Sequence, residues 1–362
     1  MPRLNTDFIQ MIKYVIKRLA LSVLILLGVS LIIYALIRIQ PGLDFVEKKY
    51  QAQLQQDSTG QVAELVKQIQ ATYGLDTNIF AGYLKWLSNI LQGNFGDSFQ
   101  LSVPTGEVTY IEIIGPDGNP ILTPKYETTS NVVSIIFAKS GVSFIIALIA
   151  TVLEFIIAIP LGIVSATKQY GVVDYTVTVL AMMGISLPSF FLGALLLKVF
   201  SVELGWFPYS GLTDPNSGLP VIIDQAWHLV LPILVLTMLS VGGLMRYTRT
   251  NMLEVMNSDY IRTARAKGLS EHSVIYKHAF RNTLIPLATL FAGILPSLFG
   301  GAMITEQVFS IDGIGKAAYT AVVNGDVPFV MAYCMFLSIL TVIGTLLSDI
   351  MYAIVDPRVK LS

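Results

Sequence analysis

The sequence predicts an all-α polytopic membrane protein with about six transmembrane helices, a cytoplasmic two-helix hairpin, and a small extracytoplasmic insertion between helices 1 and 2. Hydrophobic residues make up 54% of the 362 residues and charged residues only 13%, whereas soluble domains carry roughly 25% charged residues. The charges cluster between long apolar runs. Several runs approach or exceed the roughly 20 residues that a helix needs to cross the hydrocarbon core.

Six apolar stretches qualify as transmembrane helices. They are Leu19–Ile37, Gly141–Ala166, Tyr175–Leu197, His228–Leu244, Thr283–Thr305 and Val327–Ser348, the last continuing to Val355. The fourth is the shortest, and Pro286 and Pro296 lie inside the fifth. We expect the first to be retained, because its apolar core is longer than the roughly 7–15 residues of a cleaved signal peptide.

The distribution of Lys and Arg predicts the orientation, because short cytoplasmic loops are enriched in them. The N-terminal segment carries Arg3, Lys13, Lys17 and Arg18. The segment between spans four and five carries seven more: Arg246, Arg249, Arg262, Arg265, Lys267, Lys277 and Arg281. With six spans these two segments lie on the same side of the membrane. Both termini and the hairpin are therefore predicted to be cytoplasmic.

Residues 39–140 are too long for a simple turn and predict a small extracytoplasmic segment. The stretch QVAELVKQIQATYGLD has the pattern of an amphipathic helix that closes at Gly74, and a second helix is predicted over Asn78–Leu91. The later VTYIEIIGPDGNPILTPKYETT alternates apolar and polar residues around a turn signal, as a β-hairpin does. The predicted division is 1–38 (tail and first helix), 39–140 (extracytoplasmic) and 141–362 (five-helix core with the hairpin 257–282).

The hairpin lies in the charged stretch DYIRTARAKGLSEHSVIYKHAFRN, which begins at Asp259. Ser258 or Asn257 can cap a helix starting there, and Asp259 lies three residues before Arg262, within reach of a helical ion pair. Gly268 ends this helix, because glycine readily adopts the left-handed conformation.

A second helix is predicted from a cap at Ser270 through His278. Three interpretations of the two-helix shape compete. A positive-inside anchor needs cations but no capped, glycine-broken hairpin. A DNA-binding helix-turn-helix would lie against the membrane without a second half-site. We favour a docking element, because small residues (Thr263, Ala264, Ala266) allow close approach of a partner and the cations beside them suit an acidic groove.

The hairpin sequence RTARAKGLS followed by HAFRNTLIP resembles the coupling motif of membrane permeases of ABC-type importers, and more narrowly the dipeptide/oligopeptide branch. The resemblance covers most of the chain. Its further motifs are QPGLD (Gln40–Asp44), YGLD (Tyr73–Asp76), GNFGDS (Gly93–Ser98), AIPLGIVSA (Ala158–Ala166), GISLPSFFLG (Gly184–Gly193), GWFP (Gly205–Pro208), EQVFSIDGIG (Glu306–Gly315), DVP (Asp326–Pro328) and DPRVK (Asp356–Lys360).

The resemblance implies the permease subunit of a peptide importer, which lies in membrane lipid. Such a subunit pairs with a similar second permease, docks two cytoplasmic ATPase subunits and receives substrate from an extracytoplasmic binding protein. The ATPase-coupling residues that it implies are Asp259, Arg262, Thr263, Ala264, Arg265, Ala266, Lys267, Gly268 and Leu269.

The residues themselves indicate that ATP is bound by another chain. The one Gly-Lys pair, Gly315-Lys316, has Ser310 and Ala317 where a Walker A loop requires Gly and Ser/Thr. We therefore expect no cofactor and no catalytic residue in this chain, with ATP and Mg²⁺ on the partner ATPase subunits.

We expect the translocation path to follow spans two to five, with Glu154, Pro188 and Phe190 as candidates. An ionised mid-span carboxylate such as Glu154 costs about 2.5–3.5 kcal/mol or more. It either lines the path, meeting a peptide amine, or locks two helices as a protonated or hydrogen-bonded group. The second interpretation is slightly favoured, because a peptide path must serve many side chains. Pro188 can equally serve only in helix packing. Phe190 belongs to an apolar group that more often packs against lipid or at an interface than lines a peptide pocket.

Other functions remain open. A nickel-complex importer belongs to the same class. A proton-coupled secondary transporter would use Glu154 as proton carrier and predicts internal inverted repeats, which we do not detect. An intramembrane protease needs a nucleophile and a base within the spans, and no Gly-x-Ser-x-Gly occurs. One cysteine, three scattered histidines and a net charge of −1 predict no metal site and no nucleic-acid partner.

Overall fold

A computed structural model of the chain describes residues 2–39, 44–114 and 120–355. Part of the QPGLD motif, the predicted hairpin turn at 115–119 and the DPRVK tail lie outside these residues. The described residues form two compact units. The large unit comprises 2–21, 141–316 and 339–355, and the small unit comprises the described residues from 22 to 140 together with 317–338.

The described elements are mostly helical. In chain order they are α1 (Pro2–Arg38), α2 (Phe45–Gln56), α3 (Gln61–Thr72), α4 (Ile79–Leu91), β1 (Val103–Ile114), β2 (Pro120–Thr129), α5 (Val132–Thr167), α6 (Val172–Ser186), α7 (Ser189–Leu196) with a π-helical continuation (Leu197–Glu203), α8 (Val221–Met256), α9 (Asp259–Ala266), a π-helical segment (Ser273–Phe280), α10 (Arg281–Ala288), α11 (Phe291–Phe299), α12 (Met303–Val308), α13 (Ile314–Val323) and α14 (Val327–Val355).

Five described helices are long and apolar enough to cross a membrane, and one bent helix pair makes a sixth if its halves form one span. The five are Ile16–Arg38, Val132–Thr167, Val221–Met256, Pro286–Val308 and Val327–Ile350, and the pair is Val172–Ser186 with Ser189–Glu203. These spans overlap the six predicted stretches, so the prediction of a helical polytopic membrane protein is confirmed.

The predicted third span is not one straight helix. The chain bends by 100° between α6 and α7. Leu187 is extended there (φ −83°, ψ 130°) and Pro188 precedes the first turn of α7. Proline lacks an amide hydrogen and pushes the preceding residue out of the helical region, which explains the break at this point.

The fourth predicted span was much too short, because α8 extends over 36 residues and continues through Pro232. Two charged residues of α8 that lie outside the predicted span have partners within the fold. Asp224 accepts a hydrogen bond from the amide of Asp214 at 2.7 Å, and Arg249 binds a carboxylate of α6. Polar residues with partners can therefore extend a membrane helix beyond its apolar window.

The small unit confirms most of the local predictions for its segment. Helix α3 closes at Gly74 (φ +64°), and the side chain of Asn78 caps α4 by accepting from the Ala81 amide at 2.8 Å. Strands β1 and β2 pair antiparallel. Helix α2 was not predicted; its cap is Asp44, which accepts from the amides of Val46 and Glu47 at 2.9 Å.

A buried carboxylate at the start of α14 explains two of the recognised motifs in the small unit. Asp326 accepts hydrogen bonds from the hydroxyl of Ser98 and from the amides of Phe99 and Gln100, both at 3.1 Å. The GNFGDS and DVP motifs are therefore the two sides of one hydrogen-bonded cluster.

A second buried carboxylate organises the EQVFSIDGIG motif in the large unit. Glu306 is 1% exposed. It accepts hydrogen bonds from the hydroxyl of Ser143 at 2.7 Å and from the amides of Ala302 and Lys316 at 3.1 and 2.8 Å. A Cβ on Gly313 would lie 2.5 Å from the Glu306 carboxylate, so this glycine gives the carboxylate its space.

We expect Glu306→Gln to lower the free energy of unfolding by about 2 kcal/mol, because an amide nitrogen would face a backbone donor and leave it unpaired. Thermal unfolding of the purified chain in detergent measures this. The exposed Glu254→Gln is the matched control, with an expected effect within about 0.5 kcal/mol. Equal melting temperatures for the two variants would show that the carboxylate charge does not hold the motif.

Candidate coupling hairpin and membrane cavity

The predicted two-helix hairpin is present, but its second helix is longer than predicted. Helix α9 is followed by a break at Gly268, and helical structure resumes at Glu271. It continues through the π-helical segment and α10 to Ala288, well beyond the predicted end at His278. The first proline after the break is Pro286, so nothing earlier interrupts the helix.

Gly268 makes the break between the two helices. Its φ is +76°, and its amide and that of Leu269 donate to the carbonyls of Arg265 (2.9 Å) and Ala264 (3.4 Å). This pattern is a Schellman motif, which needs a left-handed residue. A Cβ on Gly268 would meet nothing within 4 Å, so the glycine is required for its backbone conformation and not for space.

The capping of the hairpin helices follows the sequence only in part. Ser258 occupies the N-cap position of α9, but its hydroxyl donates to the Val255 carbonyl at 2.6 Å and caps nothing. The Asp259–Arg262 pair forms at 3.4 Å, and both side chains are largely exposed. Ser270 accepts from the amide of Ser273 at 3.3 Å at the start of the second helix.

An ion pair joins the two helices across the break. Arg265 Nε donates to Glu271 Oε1 at 2.9 Å and its Nη2 to Oε2 at 3.4 Å. An exposed pair of this kind adds little to stability. Its two-point geometry sets the direction of one helix against the other.

The inner face of the hairpin packs on the ends of α5 and α8. Ile261 and Val274 are completely buried and share a cluster with Ile163 of α5 and Met252 of α8. Ala264 belongs to this cluster and is 6% exposed. The interpretation of Ala264 as a docking position is therefore corrected, since its methyl group packs inside the chain.

The outer face keeps the other predicted coupling residues accessible. These are Asp259, Arg262, Thr263, Arg265, Ala266, Lys267, Gly268 and Leu269. The hairpin also exposes two aromatic residues that were not predicted as coupling residues, Tyr260 and Tyr276. The ring centre of Tyr276 lies 4.7 Å from that of His272. Tyrosine is enriched among the residues that dominate binding interfaces. For Tyr260, the sequence signal of an exposed position was its place directly before the apolar Ile261, because neighbouring helix residues face different directions.

A buried ion pair connects α6 to α8 near the hairpin. Arg249 donates to both carboxylate oxygens of Asp174, at 2.9 and 2.8 Å. The hydroxyl of Ser165 and the amide of Tyr170 also donate to Asp174. The prediction placed Arg249 at the base of the hairpin but found no role for Asp174, which lies 75 residues away in sequence.

The candidate path residues do not come together. Glu154 lines a cavity of about 370 Å³ between α5, α8 and α11. Pro188 lies at the α6–α7 bend and Phe190 is 56% exposed; neither lines this cavity. A Cβ on Gly184 would lie 2.6 Å from the Met238 carbonyl, which supports the packing interpretation of the region around Pro188.

The structure thus defines a polytopic helical membrane protein whose spans carry a compact hairpin and line a cavity that contains a carboxylate. Residues 158–361 match the family described as binding-protein-dependent transport system inner membrane component, and residues 11–105 match the N-terminal model for membrane components of these systems. The chain belongs to this family, and it is a multi-pass inner-membrane protein.

Similar proteins align along nearly the whole chain. The oligopeptide transport system permease protein AppB of Bacillus subtilis is 37% identical over 97% of this chain and 100% of its own length. A putative peptide permease of Brucella suis is 33% identical over 97% and 100%. The dipeptide transport system permease protein DppB of Bacillus subtilis is 31% identical over 97% and 99%.

Proposed function

We propose that this chain is the transmembrane permease subunit of an ATP-driven ABC importer that takes up dipeptides or oligopeptides delivered by an extracytoplasmic binding protein. The observation that carries the proposal is the full-length similarity to permeases named for peptide, oligopeptide and dipeptide transport. The chain is a transport subunit, and ATP hydrolysis belongs to partner chains.

The hairpin is the part through which partner ATPases act. Two cytoplasmic ATPase subunits, which bind ATP and Mg²⁺, dock on the hairpins of this chain and of a second homologous permease. The exposed outer face, with its cations, its tyrosines and Leu269, suits this contact. Both termini are then cytoplasmic, as the distribution of Lys and Arg indicates.

The transport cycle is alternating access. Closure of the ATPase dimer moves the hairpin, whose inner face is buried against α5 and α8. The Asp174–Arg249 pair carries this movement to α6. The path then opens outward to receive peptide, and hydrolysis returns it to the cytoplasmic side.

The test compares Arg265→Glu and Gly268→Val with Lys168→Glu, a matched charge change at an exposed residue outside the hairpin. The full complex is purified from native membranes through a tag on this chain. We expect both hairpin variants to lose at least tenfold in recovered ATPase subunits, because the first repels Glu271 and the second cannot adopt the left-handed break. Lys168→Glu should retain them.

Peptide uptake into proteoliposomes with the binding protein and ATP should fall in parallel with ATPase recovery. Normal recovery and uptake in both hairpin variants would contradict the proposed coupling role. Purification of the wild-type chain without any ATPase, still moving peptide under a proton gradient, would contradict the importer itself.

A further inference from the structure

The cavity at Glu154 holds a carboxylate for which the fold offers no partner. Glu154 is partly buried in the middle of α5. Within the described residues, no hydrogen bond or ion pair reaches its carboxylate. The interpretation of Glu154 as a hydrogen-bonded lock between two helices requires such a partner, so the structure favours the interpretation in which this group faces the path.

The remaining wall of the cavity is mostly apolar, and among the described residues it carries no other charged side chain. Four lining residues carry a hydroxyl group, namely Thr151, Ser240, Tyr247 and Ser297, and Gly243 leaves room beside them. The hydroxyls of Tyr247 and Ser297 already donate to the backbone carbonyls of Pro286 and Ile294. Hydroxyls can donate or accept and therefore adapt to varied ligands. The volume of about 370 Å³ falls in the range of about 300–1,000 Å³ that is typical of ligand sites.

Charged residues within membrane spans are costly, and they face cavities where they meet ions, protons or substrates. No Lys, Arg or His lines this cavity among the residues that the structure describes, so the complementary cation has to come from outside the chain. Every peptide with a free amino terminus supplies one such cation, its α-ammonium group, whatever its side chains are.

We propose that the Glu154 carboxylate binds the α-ammonium group of the translocating peptide and selects for a free amino terminus. This proposal rests on the proposed function and deepens it. A single fixed charge is compatible with many peptide sequences because it recognises the group that all of them share. The hydroxyls of Thr151 and Ser240 then bind backbone amides and carbonyls without selecting side chains.

The test uses the complete importer in proteoliposomes, with the binding protein, ATP and radiolabelled tri-alanine or N-acetyl-tri-alanine. The affinity of each peptide for the binding protein is measured first, and each is supplied at saturation. The variants are Glu154→Gln, Glu154→Asp and the matched control Glu203→Gln, whose carboxylate is exposed and pairs loosely with Lys198 at 3.8 Å.

We expect Glu154→Gln to lower the maximal rate of tri-alanine uptake at least tenfold and to bring the ratio between the two peptides toward one. Glu154→Asp should retain the preference for the free amine, and Glu203→Gln should behave as wild type. The purified complexes should keep the same ATPase content, which separates a binding role from a structural one.

Unchanged uptake and an unchanged peptide ratio in Glu154→Gln would overturn the inference and leave the proposed function intact. Absence of tri-alanine uptake by the wild-type importer would instead overturn the proposed function.

If Glu154→Gln does not assemble, Ser240→Lys and Ser240→Met decide the question. Both side chains fill part of the cavity and should lower uptake of both peptides. Lysine also supplies the missing cation and should bring the ratio between the two peptides toward one, whereas methionine of similar length should keep the ratio in favour of the free amine.

Discussion

Replacement of Asp174 by asparagine is expected to lower the free energy of unfolding by about 3 kcal/mol. Asp174 is 3% exposed and binds Arg249 through both carboxylate oxygens. The Arg249 side chain is itself only 23% exposed. Without the negative charge, the guanidinium stays mostly buried without an anion, and a desolvated unpaired charge is strongly destabilising. Thermal unfolding of the purified chain in detergent should show a melting temperature several degrees lower.

The control is Asp76→Asn, which removes an ion pair of the same kind at the surface. Lys85 Nζ lies 3.2 Å from Asp76 Oδ2, and both side chains are well exposed. Exposed pairs contribute at most about 1 kcal/mol, so this variant should melt close to wild type. The double variant Asp174→Asn with Arg249→Met should recover part of the lost stability, because no charge remains unpaired. Strictly additive losses would show that the pair is not the cause.

Features that depend on neighbouring residues could be predicted from the sequence. The end of α3 at Gly74, the cap at Asn78 and the hairpin break at Gly268 each involve residues within about two helical turns. Their geometry follows from the left-handed conformation of glycine and the short side chain of asparagine. The places of the long apolar helices were predictable for the same reason, since hydropathy is read from a local window, whereas the bend in the third stretch and the full length of α8 were not.

Features that depend on distant partners could not be predicted. The carboxylates of Asp174, Glu306 and Asp326 bind residues 75, 163 and 228 positions away. The motifs that contain the last two were recognised by resemblance, but nothing in their local sequence shows which donors they bind. Sequence periodicity reports which residues are apolar, and it does not report which polar residues meet across the fold.

The effect of a proline on a helix also could not be predicted from the local sequence. Pro188 lies at a 100° bend, whereas Pro232 lies inside a continuous helix. Both lack an amide hydrogen, so the difference comes from their surroundings. Burial alone does not decide the outcome, because α5 also continues through Pro160 although only 22% of its apolar window is buried, against 56% in α8. Phe190, which the sequence offered together with Glu154 as a path candidate, does not line the Glu154 cavity.

Two adjacent glycines in α8 have different surroundings: Gly242 packs against α6, and Gly243 lines the Glu154 cavity. A Cβ on Gly242 would lie 2.3 Å from the Ala181 carbonyl of α6 and 2.8 Å from the Ile185 side chain. A Cβ on Gly243 would meet nothing within 4 Å. Small residues allow membrane helices to approach closely, so Gly242 sets the distance between α6 and α8.

We expect Gly242→Leu to lower the free energy of unfolding by about 3 kcal/mol, since the clash involves backbone and cannot be relieved by a side-chain rotation. Gly243→Leu should unfold at or above the wild-type temperature, because leucine has the higher helix propensity by about 1 kcal/mol. Its side chain enters the Glu154 cavity, so peptide uptake should fall although the fold is kept. Equal destabilisation by both variants would place the close α6–α8 contact in doubt, and full uptake by Gly243→Leu would move the path away from this cavity.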